Sequence, residues 1–244
     1  MKYLIIYNSN LLFITLLISN LLSKDFKLIN ETLNYSISFR NIPAGEAQIN
    51  FYSDTLNGSS VMHLKSLIKT NSFIDNFYIV RDEIDAWLDI DDLSLKKIIK
   101  KTHQGKYKKH SNTLILGDSL AVYNGSKINI SNKVYDPISI IYYIRKKNLD
   151  LITNDSLICY ENGKVRELLF DVVDKKLIDV EFLGKIECIK IVPRSNTDKP
   201  LLKNDGEMEF WFTLDQFKLP VIIVQKTNLG EMTMKLKTIK NNHF

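Results

Sequence analysis

From residue 33 onward, apolar and polar positions alternate along most of the chain. Leu33, Tyr35, Ile37 and Phe39 are interleaved with Asn34, Ser36, Ser38 and Arg40, a period of two that puts one apolar face on a strand. Asn41-Ile42-Pro43-Ala44-Gly45 interrupts the pattern, and Ala47, Ile49 and Phe51 resume it, which predicts a hairpin or a strongly bent strand pair. Asn57-Gly58 and Asn162-Gly163 are tight-turn dipeptides between strand-like runs. Phe77 to Val80 is apolar on both faces and reads as a more central strand. Leu157–Tyr160, Val165–Val173, Phe182–Ile191, Glu207–Leu214, Val221–Thr227 and Met232–Leu236 continue the series. Many short strands with turn signals roughly ten residues apart predict a mainly β, antiparallel architecture: a curved sheet, a barrel or a sandwich.

Two segments depart from this period. Leu93–Thr102 fits helix or strand, and the pattern does not choose. Asp136 to Arg145 is clearer. Asp136 suits an N-cap, Pro137 a first helical residue, and Lys146 and Lys147 the negative end of the helix dipole. Ile138, Ile141, Tyr142, Arg145 and Leu149 share one face while Ile140 and Ile144 lie on the other. The spacing therefore predicts a short helix near 137–148, buried nearly all round.

The beginning of the chain has a different character. Met1 to Ser23 carries one charge, at Lys2, and an apolar core from Leu11 to Leu22. That core is short against the roughly 20 residues of a membrane span, so a secretory signal peptide over 1–23 is the better reading and an uncleaved inner-membrane anchor the alternative. Export places residues 24–244 in the periplasm as a single β-rich domain, makes nucleic acid an improbable partner and makes cytosolic cofactors improbable. The full chain has 45% hydrophobic residues and a mean hydropathy of −0.10, which reads as globular and not disordered. The net charge of +5 is a weak argument for an anionic partner, because Asn, Lys and Ile are abundant throughout.

Candidate chemistry is sparse. Cys159 and Cys188 could pair after export, or remain two separate buried thiols, and their spacing fixes neither. No CxxC or His–Cys ligand spacing supports a metal, and no Gly-rich phosphate loop, G-x-S-x-G elbow or triad is present. Asp82, Glu83, Asp85, Asp89, Asp91 and Asp92 crowd one segment. They could serve a hydrolase as acid and base, but without the Gly turn of a calcium loop they also read as a solvated acidic edge. Lys96, Lys97, Lys100, Lys101, Lys106, Lys108 and Lys109 surround Tyr107 and could meet anionic lipid head groups. Arg145, on a buried-looking helix face, could hold an anion or pair with a carboxylate such as Asp82 or Asp136. Tyr78, Trp87, Tyr142 and Trp211 could line a ligand cavity, or simply fill the core.

Five ordered blocks then carry a family resemblance. Leu33-Asn34-Tyr35-Ser36-Ile37-Ser38-Phe39-Arg40-Asn41-Ile42-Pro43-Ala44-Gly45-Glu46-Ala47 resembles the opening of the bacterial family of domain of unknown function 3108. Phe77-Tyr78-Ile79-Val80-Arg81-Asp82 and Gly105-Lys106-Tyr107-Lys108-Lys109 resemble its next two blocks. Asp136-Pro137-Ile138-Ser139-Ile140-Ile141-Tyr142-Tyr143-Ile144-Arg145 resembles its "D-P-L-S-A-L-Y-Y-L-R" helix. Glu209-Phe210-Trp211-Phe212-Thr213-Leu214-Asp215 with Leu219-Pro220-Val221 resembles its ending, with Lys218 where an Arg is usual. The resemblance implies an exported envelope protein of mostly β fold, and it brings no catalytic residues. Taken together, the sequence points to a domain that binds lipid, glycolipid or another envelope component without catalysis. The ligand contacts would be Arg145, Tyr142, Tyr78, Asp82, Trp87 and Trp211, with no cofactor. An envelope hydrolase using the 82–92 carboxylates and a structural scaffold of an envelope complex are the alternatives.

Overall fold

In this computed structural model the strands form one continuous sheet, and residues 30–196, 206–227 and 230–241 are described. The strands are β1 (Glu31–Phe39), β2 (Ile42–Leu56), β3 (Ser59–Thr70), β4 (Arg81–Asp89), β5 (Leu95–Gln104), β6 (Tyr107–Leu116), β7 (Leu120–Tyr123) and β8 (Ser126–Asn129), followed by β9 (Val134–Tyr135), β10 (Ser156–Glu161), β11 (Lys164–Val180), β12 (Gly184–Ser195), β13 (Glu207–Thr213), β14 (Pro220–Thr227) and β15 (Gly230–Asn241). They lie in the order β8-β7-β6-β5-β4-β3-β2-β1-β15-β14-β13-β12-β11-β10-β9. Each neighbouring pair is antiparallel except β9 with β10. The leader over Met1–Ser23 lies outside the described residues.

The turn chemistry read from the sequence is used as expected. Asn57-Gly58 and Asn162-Gly163 both take positive φ, the backbone that a two-residue hairpin needs. Arg40 and Asn41 do the same between β1 and β2 and form the hairpin turn, while Ile42–Gly45 already belongs to β2, with a register shift opposite Ile37 and Ser38. Of Leu93–Thr102, the part from Leu95 resolves as strand, within β5, and Leu93 sits in the turn before it with positive φ. Phe77–Val80 is not a central strand. It follows a one-turn helix, Ser72–Asp75, and the strand starts only at Arg81. Phe77 and Tyr78 stand out into solvent, so their apolar character does not report burial.

The sheet curls around the second helix, Ser139–Lys146. Asp136 caps it from just outside, its Oδ1 accepting from the backbone N–H of Ile138 at 2.9 Å and of Ser139 at 3.4 Å. Every residue from Ser139 to Arg145 is buried. Tyr142 stacks on Phe51 of β2 with ring centroids 3.9 Å apart, and Tyr143 meets Tyr135 of β9 and Phe170 of β11. The helix thus fills the inside of the curve, where Leu33, Leu64, Leu88, Phe210 and Ile191 from both halves of the sheet converge. Side chains from the two ends of the sheet also meet: Thr113 Oγ1 of β6 lies 3.4 Å from the Tyr160 hydroxyl of β10. The architecture is therefore barrel-like yet open, and not a sandwich.

Candidate functional site

The six residues singled out by sequence fall in four places. Arg145 and Tyr142 are together inside. The Arg145 guanidinium is 2% exposed and grips Glu31 of β1, 7% exposed, with two hydrogen bonds, one of them Nη2–Oε2 at 3.1 Å. Its Nε and Nη2 also donate to the Phe217 carbonyl at 3.3 and 3.2 Å. Burial works against charge on Arg145, but the Glu31 carboxylate overcomes it and its pKa rises. The carboxylate is Glu31, not Asp82 or Asp136. Glu31 faces inward because it has the same strand parity as Leu33 and Tyr35. With both partners engaged, this arginine ties the core helix to β1 and to the Phe217 carbonyl. The Tyr142 hydroxyl is buried and, by burial above all and then by the nearby Glu31 carboxylate, titrates well above its ordinary range.

Trp87 lies on the outer face, in a network that sequence reasoning missed. His63 of β3 is buried between Trp87, stacked at 4.5 Å, and Tyr52. Its Nε2 is 3.0 Å from Asp85 Oδ1 of β4, and its Nδ1 is 3.1 Å from Asp54 Oδ2 and 2.8 Å from the Tyr52 hydroxyl of β2. Trp87 Nε1 donates to Asp54 at 3.1 Å, and Lys97 Nζ sits 4.8 Å above the Trp87 ring. The Asp54 carboxyl is held below its ordinary value, first by the Thr55 backbone N–H and then by Trp87 and His63. Both His63 ring nitrogens, the Tyr52 hydroxyl, Trp87 Nε1 and the Asp54 and Asp85 carboxylates are engaged with one another, which makes the cluster a cross-strand tie over β2, β3 and β4. Trp211 is on β13, far from this cluster in strand order, with Lys176 4.4 Å and Lys190 5.9 Å above its ring.

The acidic stretch does not converge. Its members run along β4 from Asp82 to Asp89 and into the following turn, a span of about 23 Å by strand rise. Glu83 is paired with Lys65 at 2.9 Å and Lys101 at 3.3 Å, Asp89 with Lys96 at 3.1 Å, and Asp92 with Lys133 at 2.5 Å. None of these approaches Arg145, whose partners are Glu31 and Phe217. Among the described residues, no group of three or more His, Cys, Asp or Glu side chains could hold a metal.

Asp82 and Tyr78 are close to each other at one end of the sheet. Asp82 Oδ2 accepts from the Gln104 amide at 2.6 Å and Oδ1 from the His103 backbone at 3.1 Å; burial raises its pKa. Gly105, the next residue, packs against the Tyr78 ring: a Cβ there would stand 2.7 Å from it. Gly105 N also donates to the Ile79 carbonyl at 2.8 Å. On the other side, Asn71 bonds the Pro43 and Ala44 carbonyls, each at 2.9 Å. The β1–β2 turn, the β3–β4 connection and the β5–β6 turn are thereby locked into one end surface.

That end is unusually apolar for exposed chain. Phe77 is 76% exposed, Phe73 61%, Ile42 53% and Tyr78 51%, with Tyr107 and Phe39 beside them. Phe73 and Phe77 meet edge to face at 5.6 Å. Much of the lysine-rich segment is engaged elsewhere: Lys97 over Trp87, Lys101 with Glu83, Lys109 over Tyr123. Lys106 and Lys108, flanking Tyr107, are exposed. An outer groove of about 840 Å³ starts beside this end, with Leu67, Lys69, Arg81 and Lys101 along it. By contrast, beside the core helix a space of about 10 Å³ lies between Ile140, Cys159 and Phe210. That is at most the volume one water needs. Sequence had signalled only Tyr78 and the lysines here. Phe77 was hidden in what looked like ordinary strand, and Phe73 carried no signal of its own.

Comparison with known proteins agrees with this architecture. The family described as a protein of unknown function (DUF3108) matches residues 34–237. Among solved structures, the fold is similar to a crystal structure of a β-barrel-like protein of domain of unknown function DUF1849 from Brucella abortus, with a TM-score of 0.63 at 9% identity. The match covers 88% of this chain and 98% of that one. At that identity the likeness concerns the fold alone. No curated protein matches the chain in sequence.

Proposed function

This chain belongs to the DUF3108 family of proteins of unknown function, and from that premise we propose that it is a non-catalytic envelope domain that engages an amphipathic envelope component on its outer surface. The observation that carries this reading is the division between a filled interior and an apolar exposed end. The core helix occupies the inside of the curve, the Arg145 guanidinium grips Glu31, and the space beside the helix among Ile140, Cys159 and Phe210 is of water size. A lipid chain does not fit in that space. Exposed large apolar side chains occur at several places, Leu151, Val173 and Leu177 among them, and Ile42, Phe73, Phe77 and Tyr78 form one group of them at the sheet end. Export, read from the apolar leader, supplies the compartment.

Native mass spectrometry of the protein purified from membranes tests the reading. The expected result is the bare polypeptide mass after gentle desolvation. A stoichiometric lipid that survives, and that is unaffected by substitution of Phe73 and Phe77, would place the ligand inside and overturn it.

A further inference from the structure

We propose that the exposed end of the sheet docks on the anionic surface of a lipid bilayer, with Phe73, Phe77 and Tyr78 entering the interface and Lys106 and Lys108 meeting the head groups. This rests on the outer-surface reading above and names its partner. Phe73 and Phe77 stand on the connection between β3 and β4, at the end of the strands, with most of their surface exposed. The connections are also braced, by Asn71 on the Pro43 carbonyl and by Gly105 against Tyr78, so the aromatic rings are presented on a fixed platform.

Charge complementarity selects the lipid type. The carboxylates near this end are already engaged: Asp75 by Arg81 at 2.5 Å, Glu46 by Lys69 at 2.6 Å, and Asp82 by Gln104 and the His103 backbone. Lys106 and Lys108 are exposed and make no ion pair among the described residues. The charge left at the surface is therefore positive and sits directly beside exposed aromatic rings. Aromatic residues favour the membrane interface, and each lysine near an anionic leaflet strengthens binding about fivefold.

Flotation of the full chain with phosphatidylglycerol-containing vesicles, against pure phosphatidylcholine vesicles, tests this. Binding to the anionic vesicles is expected, falling as salt is added, and lost largely on neutral ones. K106Q/K108Q should weaken it roughly 25-fold, by two steps of fivefold, and F73S/F77S should abolish it. All four side chains are exposed, and an unchanged thermal melt will show that the variants are folded. A Phe77→Trp reporter should shift its emission to the blue on anionic vesicles. Absent flotation, or equal flotation of wild type and both variants, would overturn the proposal. A photo-crosslinker at position 77 separates this from the broader reading. Crosslinks to lipid support docking on a bilayer; crosslinks to a protein overturn it and leave the outer-surface reading standing.

Discussion

Arg145 and Glu31 stand 114 residues apart in the chain and face each other inside the sheet through two parallel hydrogen bonds. The pair fastens the core helix to β1, the strand at the middle of the sheet order. Removing one partner leaves the other charge buried without compensation. Arg145→Met is expected to cost about 3–5 kcal/mol in urea unfolding, and Glu31→Leu a similar amount. Together, R145M/E31L should recover most of the loss, because an apolar pair of similar volume needs no desolvation. Additive losses in the double variant would show that the two residues act separately.

The His63 cluster should matter for stability and not for ligand binding. His63→Ala removes the contacts that join Asp54 and Asp85 across β3 and the stack on Trp87. A loss of about 2 kcal/mol is expected, with a change in Trp87 fluorescence. Vesicle flotation of this variant should be unchanged, since the docking end is built from other connections.

Asp82 offers a pH test with a definite sign. Burial raises its carboxyl pKa, so the folded state holds the proton more readily than the unfolded chain does. Its ionisation therefore costs stability above the folded pKa, and the cost fades as pH falls through that value. Asp82→Asn keeps an acceptor for the His103 N–H and carries no charge. It is expected to raise Tm at pH 7, with the advantage over wild type closing toward pH values near and below the ordinary carboxyl value of about 3.9. Glu83 has the opposite sign. Lys65 and Lys101 lower its pKa, so its stabilisation is present above the ordinary value and is lost as pH falls through the lowered one. A Tm gain for D82N that persists unchanged into acid would contradict the assignment.

Gly45 is where β2 passes closest to β3. A Cβ there would stand 2.1 Å from the Lys69 carbonyl oxygen, a backbone atom with no freedom to turn aside. Gly45→Ala should cost at least about 2 kcal/mol, read as a shifted denaturation midpoint. Gly117→Ala, with open space at its Cβ and only its positive φ to strain it, should cost less.

The cysteines are expected to stay reduced and inert. Cys159 pairs in register with Arg166 of β11 and Cys188 with Lys176, on opposite sides of that strand and ten positions apart along it. That is about 30 Å, against the 7 Å limit for a disulfide. Burial raises both thiols, Cys188 to about 11. Thiol reagents should label neither in the folded protein, and reductant should leave Tm unchanged.

The alternation of Leu33, Tyr35 and Ile37 with Asn34 and Ser36 was enough to place one face of β1 in the core, and the two Asn-Gly pairs placed their hairpins. Asp136 and the apolar run behind it announced the buried helix and its cap. These signals are local: side-chain direction and turn backbone depend on a few neighbouring residues. Partnership is not local. Nothing near Arg145 in the chain points to Glu31, and His63 has no signature until β2 and β4 bring Asp54 and Asp85 to its two ring nitrogens. Phe77 and Tyr78 are the reverse case. Their residue types promised a strand, and only the connection they occupy shows that they face solvent.

By itself, the sequence determined a β-rich chain with short hairpins, one capped apolar helix and membership in a family, because hydrophobic period and turn chemistry are written residue by residue. The tertiary structure alone decided that the helix fills the curve of the sheet, that the candidate arginine is spent on Glu31, and that three separate connections combine into one aromatic end. Those outcomes depend on strand order and register over the whole chain, which alternation along any one strand does not encode.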